Sequence, residues 1–256
     1  MREKVDVKRV FSKNKEAYVT SSTHAFGKDL SLMINWLQPK STMKVLDIAT
    51  GGGHVAKNLA NHVEEVVATD ITEEMLENTA LYLESHKNIY YAVADAEDLP
   101  FTGENFDIVT CRIAAHHFPN PERFIAEVNR VLKPEGQFLL IDNIAPEDCK
   151  FDQFINSLEK MRDHSHIRSR SLIEWKNLFV DHDLSIIKEQ TRKKVLPYRE
   201  WVQRTLDDDE TIQHVGQFIL ESDNETKNYF QVDTEDDIIH SFAIDEWMAL
   251  GAKRTD

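Results

Sequence analysis

The chain has 256 residues, 41% hydrophobic and 29% charged, with a formal net charge of -15; it can bury a large core but is cramped for two full domains. No stretch approaches the run of about 18 apolar residues that a membrane span needs, and the acidic balance works against a nucleic-acid phosphate backbone. A soluble, cytoplasmic protein is expected, because the charged start MREKVDVKRVFSKNKEAYV lacks the apolar stretch of a secretory leader; Cys111 and Cys149, outside any C-x-x-C motif, read as free thiols.

Residues 1–40 read as a helical cap, with Phe11, Tyr18 and Val19, then Leu30, Met33, Ile34 and Leu37 at three- and four-residue spacing, closed by Pro39. MKVLDIA (43–49) is a short apolar run that turns into glycines at Gly51, Gly52 and Gly53 and then into the helical HVAKNLANHV, giving strand, tight loop, helix. EEVVATD (64–70) is a second strand, and Thr72 is a plausible N-cap for the helix after it. Strand IYYAVADA, a loop with Pro100 and Gly103, and strand FDIVTCRI (106–113) continue the alternation. Helix PERFIAEVNRVL begins with Pro121 in its first turn and stops at Lys133-Pro134-Glu135-Gly136 before strand QFLLIDNIA. Five strands separated by helices imply a doubly wound α/β fold whose mostly parallel sheet is covered on both faces.

After Pro146 the alternation weakens. Residues 147–182 look helical, with Ser171 to Glu174 forming a capping-box signature; 183–195 reads as a sixth strand, 197–235 as acidic and mostly helical, and DIIHSFAIDEWMAL as a last strand. One domain over 1–256 is expected, with the cap at 1–40, a cofactor-binding core at 43–146, and lid helices with the last strands at 147–256.

Ligands of an open parallel sheet bind at the carboxyl ends of the strands where strand order reverses, beside the loop after the first strand. Glycines suit that loop because a ligand against the backbone leaves no room for a Cβ and the sharp turn can demand positive φ. Gly51-x-Gly53-x-x-Ala56 also fits a nicotinamide dinucleotide site, so Asp47 has to separate the readings. Its carboxylate would repel a pyrophosphate and attract an α-ammonium and a sulfonium. Two unit charges at 4 Å interact by about 4 kcal/mol at an effective dielectric of 20. Asp70 and Asp95, ending the next two strands, would accept from ribose hydroxyls and an adenine amino group. Each aspartate alone could be a cap or turn former; all three in register with the glycines favour a cationic nucleoside.

VLDIATGGGHVAKNLA (45–60), VVATDITEEML (66–76), DAEDLPF (95–101) and FDIVTCRIAAHHFPNPERFIAEVNRVLKPEGQFLLID (106–142) together resemble the class I S-adenosylmethionine methyltransferases, in the branch of the ubiquinone/menaquinone-biosynthesis C-methyltransferases. The resemblance implies a seven-stranded Rossmann-like sheet with helical lid insertions and S-adenosyl-L-methionine as cofactor. It implies that Asp47, Gly51 and Gly53 line the methionine end, with Ala49 where relatives usually carry glycine. Asp70 would hold the ribose, Ile71 and Met75 would lie against the adenine, Asp95 and Ala96 would read its edge, and Arg112 would border the methyl group. His24, in the 22–27 segment, would belong to a stretch that covers the cofactor.

Methyl transfer needs a nucleophile at about 3 to 3.5 Å, in line with the carbon-sulfur bond, and water kept out. The Asn/Asp-Pro-Pro-aromatic motif of exocyclic amine methyltransferases is replaced by Cys111-Arg112-Ile113-Ala114, which argues against nucleic-acid or glutamine N-methylation. His116 and His117, with Arg112, are the catalytic candidates; the histidine pair suits packing of its loop better still, as the resemblance implies, and no third ligand has metal-site spacing. The group 162–168, with Arg162, His164, His166 and Arg168, reads first as a solvated helix junction and otherwise as a lid segment whose cations could bind an anionic acceptor. A lid carrying Phe151, Phe154, Trp175, Phe179, Tyr198 and Trp201 is expected to set specificity for a small-molecule acceptor, although core packing explains those aromatics equally well. The competing readings are a nicotinamide-dependent oxidoreductase and a non-catalytic S-adenosylmethionine-binding protein; the acceptor, the atom methylated (oxygen, carbon or nitrogen) and the oligomeric state stay open.

Overall fold

A computed structural model describes Lys4 and residues 28–254, so the expectations for Phe11, Tyr18, Val19 and the 22–27 segment with His24 lie outside the described residues. Helix α1 (Lys28–Leu37) buries Leu30, Met33 and Leu37 along one face, the spacing of an amphipathic helix. Then follow β1 (Lys44–Ile48), α2 (His54–Ala60), β2 (Glu65–Asp70), α3 (Glu73–Tyr82), β3 (Ile89–Val93), β4 (Phe106–Arg112), a 3-10 turn at Ala115–His117, α4 (Pro121–Val131) and β5 (Leu132–Ile144). The second half holds α5 (Cys149–Arg162), α6 (Leu172–Asp181), β6 (Leu184–Pro197), α7 (Tyr198–Val202), α8 (Asp209–Leu220), α9 (Asn224–Tyr229), β7 (Asp233–Glu235) and β8 (Ile238–Lys253).

The sheet runs β3-β2-β1-β4-β5-β8-β6. The first five strands pair in parallel, and β8 lies antiparallel to both β5 and β6. The described strands number eight where the resemblance implies seven. The additional one is β7, three exposed residues paired with β8, inside the stretch expected to be acidic and helical.

Strand side chains alternate faces, so neighbouring residues of one strand belong to different cores. Leu46, Val109 and Leu140 pack with α4 and α6 on one side, while Val45, Ile108 and Leu139 pack with α1 and α2 on the other. Covering both faces is what makes the central strands nearly continuous apolar runs. A third cluster, built from Phe154, Leu158, Trp201, Phe230 and Phe242, holds the inserted helices together. The lid aromatics are therefore packing residues. Trp175 and Phe179 belong to the first core, Phe154 and Trp201 to the third cluster, and Phe151 and Tyr198 pack against that cluster. Cys111 is a buried free thiol and Cys149 an exposed one. No helix among the described residues is long and apolar enough to cross a membrane.

Candidate functional site

Strand order reverses at β1, whose neighbours are β2 and β4, and a cavity of about 1010 Å³ opens above the carboxyl ends of these strands. Its floor is the loop after β1. The Thr50 N–H donates to the Thr69 carbonyl at 2.8 Å and the Gly53 N–H to the Thr50 carbonyl at 2.9 Å, which folds the loop tightly back on β2. Three of its residues have positive φ: Ala49 at 53°, Gly51 at 51° and Gly53 at 74°. The left-handed region costs a residue with a Cβ roughly 1–2 kcal/mol, so Ala49 holds a conformation that glycine adopts without strain.

The two glycines serve different ends. A Cβ on Gly51 would meet no atom within 4 Å, so this backbone faces open space in the cavity wall. A Cβ on Gly53 would stand 2.5 Å from Thr79 Cγ2 and 2.7 Å from Leu83 Cδ1. Gly53 lies outside the cavity lining, and its small size lets α2 begin against α3. Met75, expected against the ligand, is fully buried and also outside the lining; the apolar wall beside Asp70 comes from Ile71, Ala94 and Phe118.

Asp47 lines the cavity and is 1% exposed. Thr50 Oγ1 donates to its Oδ2 at 2.6 Å and Thr110 Oγ1 to its Oδ1 at 2.8 Å. Burial outweighs these hydroxyls and raises its pKa to about 6. Asp70 accepts from the Gly51 N–H at 3.2 Å and the Thr72 N–H at 3.0 Å, and burial raises its pKa too. Asp95 and Ala96 line the far end. There Lys4 Nζ donates to Asp95 Oδ2 and Glu97 Oε2, both at 2.6 Å, so one oxygen of Asp95 already has a cationic partner. Glu97 also accepts from the Asn120 backbone and side-chain nitrogens.

At the opposite end Arg112 is ion-paired through Nε to Asp29 of α1. Burial raises Asp29, yet Arg112 and Arg192 outweigh it and hold its carboxyl below the usual range. An arginine whose charge is so balanced can border a positively charged centre with little repulsion.

The two histidines part ways. His116 lies outside the lining of this cavity; its Nδ1 is 2.6 Å from Asp142 Oδ1 and its N–H donates to Asp142 Oδ2 at 2.9 Å. Burial lowers its pKa, but Asp142 prevails and raises it. His117 lines the cavity, and burial followed by the His116 charge lowers it to about 4. The cations of the 162–168 group are tied down: Arg162 binds Glu159 at 2.6 Å, and Arg168 binds Asp152 at 2.9 Å and Glu174 at 3.2 Å. No group of three metal-ligating side chains is assembled among the described residues.

Several partners escaped the sequence reading: Thr50 and Thr110 on Asp47, Lys4 and Glu97 beside Asp95, Asp29 on Arg112, and Asp142 on His116. Thr50 was within reach, since a hydroxyl three residues after a strand-end carboxylate forms a local turn. The others depend on contacts between distant segments.

A family model described as a methyltransferase domain matches residues 46–140. The chain is 40% identical over 196 residues to the uncharacterized methyltransferase YcgJ of Bacillus subtilis (strain 168), covering 76% of this chain and 78% of that protein. To the ubiquinone/menaquinone biosynthesis C-methyltransferase UbiE of Rickettsia felis it is 32% identical over 125 residues, 45% of this chain and 50% of that one. A solved structure from Bacillus halodurans C-125 superposes with a TM-score of 0.87 at 39% identity, covering 90% of this chain and 100% of the other.

Proposed function

Because the chain belongs to the class I S-adenosylmethionine-dependent methyltransferases, we propose that the cavity above β1, β2 and β4 holds S-adenosyl-L-methionine and that the methyl group passes to a small-molecule acceptor. Asp47 carries this reading. A carboxyl held near pKa 6 by burial, beside a glycine whose absent Cβ leaves open space, suits an α-ammonium group. Such a cation would favour the ionised form and draw the pKa down again.

The other assignments follow from position. Gly51 and Ala49 line the amino-acid end, Asp70 has lone pairs left for ribose hydroxyls, Ile71 forms the apolar wall, and Asp95 with Ala96 lies at the base end. Arg112, neutralised by Asp29, borders the reactive methyl. Bound there, the cofactor would supply an activated methyl on sulfonium; the chain's part is to bind, orient and exclude water. A net charge of -15 favours a small-molecule acceptor over a nucleic acid. The 147–182 and 197–235 inserts are the segments that shape its site, and exchanging them with a relative's should move acceptor preference.

Titration calorimetry with S-adenosylhomocysteine tests the cofactor site. Wild type should bind, and Asp47→Asn should lose about 10- to 100-fold in affinity, the range of a lost charge-assisted hydrogen bond. Equal affinities for the two proteins would refute the assignment of Asp47. An untargeted screen for labelled methyl products with purified protein would identify the acceptor.

A further inference from the structure

Beside the first cavity lies a smaller, partly open pocket. Its walls are mostly polar, with Asn143 of β5, Arg162 and Asp163 at the end of α5, Lys194 of β6 and Arg204 beyond α7, and Leu196, Trp201 and Ile244 supply an apolar part. Ile113 and His117 line both spaces, so these two side chains form the wall that they share.

Geometry fixes the tautomer of His117. Its Nδ1 is 3.0 Å from the Ser165 carbonyl oxygen and 3.2 Å from Ser165 Oγ. A carbonyl can only accept, so Nδ1 bears the hydrogen and Nε2 is the acceptor nitrogen of the neutral ring. The serine is itself fixed, since its N–H and Oγ–H both donate to Asp163 Oδ1, at 2.8 and 2.5 Å. Around the ring stand His116 at 4.3 Å between centroids, paired with Asp142, and His166 at 6.4 Å. Asp163, which burial raises but His117, Arg162 and Ser165 bring down to about 2, completes the charged surroundings with the Arg162–Glu159 pair.

Asn143 belongs to the lining of the same pocket. Asn143 Oδ1 is buried and has no hydrogen-bond partner among the described residues. A buried acceptor left without a donor costs about 1–3 kcal/mol, which a ligand hydroxyl would recover.

We propose that this pocket is the acceptor subsite, that it takes a small polar hydroxyl compound, and that His117 accepts the hydroxyl proton through Nε2 while Ser165 acts as a positioning residue. The inference rests on the first cavity being the methyl donor's site. As the hydroxyl oxygen's lone pair forms the new carbon-oxygen bond, the carbon-sulfur electron pair stays on sulfur, and the hydroxyl proton moves to Nε2 and later to water. An alkylated hydroxyl is a strongly acidic oxonium, so a weak base suffices to take its proton; an alkylated amine is a stable ammonium and requires none. With Arg162, Lys194 and Arg204 in its walls, the pocket is ill suited to a long hydrocarbon chain.

The test uses the full chain, labelled cofactor and a probe panel: hydroxybenzoates, glycolate and glycerol 3-phosphate, the matching aminobenzoates, and a geranylated phenol. Label should appear in methyl ethers of the small polar hydroxyl probes. His117→Gln should lower kcat by about 10²- to 10⁴-fold while S-adenosylhomocysteine affinity stays within about twofold. Its kcat should then climb about tenfold per pH unit as the acceptor's own ionisation takes over, whereas wild type stays flat above about pH 6. Imidazole should restore part of the activity of His117→Ala, and Asn143→Ala should raise the acceptor KM about tenfold. Label on the amines or the geranylated phenol in preference to the polar hydroxyls overturns the inference. So does a His117→Gln enzyme with wild-type kcat and pH profile, or tight S-adenosylhomocysteine binding with no polar hydroxyl probe methylated. Failure of wild type to bind S-adenosylhomocysteine would instead remove the reading of the first cavity.

Discussion

Burial drives the Asp47 carboxyl up to about 6 from an ordinary value of 3.8, so at neutral pH the ligand-free fold keeps a charge that burial disfavours. The folded state binds the proton more tightly than the unfolded chain, and this group's contribution to stability therefore falls as pH rises from about 4 to 6. The cost above that window is on the order of 2 to 3 kcal/mol. Asp47→Asn is expected to raise the ligand-free Tm at pH 8 by roughly 3 to 8 °C while weakening cofactor binding, which thermal scans with and without S-adenosylhomocysteine would show. In wild type that affinity should drop about tenfold per pH unit below about 6, with proton uptake by the free carboxyl; calorimetry across pH measures it. Ala49 offers a contrasting prediction. Its φ of 53° is strained for alanine, so Ala49→Gly should raise Tm by about 2 to 4 °C, the equivalent of about 1 kcal/mol. That Asp47, Asp70 and Ile71 would line the cavity was legible because the sequence marks strand tips and glycine loops locally. The partners of Arg112, His116 and His117 stand 83, 26 and 48 residues away, and no local pattern reports such pairs.

Helix ends show why local signals succeed in one place and fail in another. Ser171 forms the capping box read from the sequence: its hydroxyl accepts from the Glu174 N–H at 3.3 Å, and the Glu174 carboxylate accepts from the Ser171 N–H at 2.7 Å. Ser171→Ala should cost about 1 kcal/mol, measured as a lower urea midpoint with an unchanged slope. Thr72 occupies the N-cap of α3, yet its hydroxyl makes no cap bond, and its N–H goes to the ionisable Asp70 at the end of β2. β7 was illegible for another reason: Asp-Thr-Glu has no apolar alternation, and only pairing with β8 makes it a strand. The parallel strands β1 to β4 were readable since each is a short apolar run between turn signals; β5 was readable only from Gln137, because Lys133-Pro134-Glu135-Gly136 reads as a stop signal and yet belongs to the strand.

Across the whole molecule, one chain of buried and half-buried charges ties α1 to three strands: Asp29 binds Arg112 and Arg192, and Glu246 binds Arg192 and Lys194. On the proposed placement Asp29 screens the sulfonium from Arg112. Asp29→Asn should therefore weaken S-adenosylmethionine binding about tenfold more than binding of neutral-sulfur S-adenosylhomocysteine, and that ratio, read by calorimetry, is insensitive to general loosening. The doubly wound half was legible in the sequence, whereas the lateral order of the last strands was not, because their order along the chain does not reveal their order in the sheet. β8 follows β5 and β6 yet lies between them, bonded to both. During translation, until residues 238–253 have left the ribosome, β5 and β6 each keep a bare edge that can recruit a wrong partner. The parallel half can thus assemble early on the nascent chain, while the lateral half stays open until its keystone strand arrives.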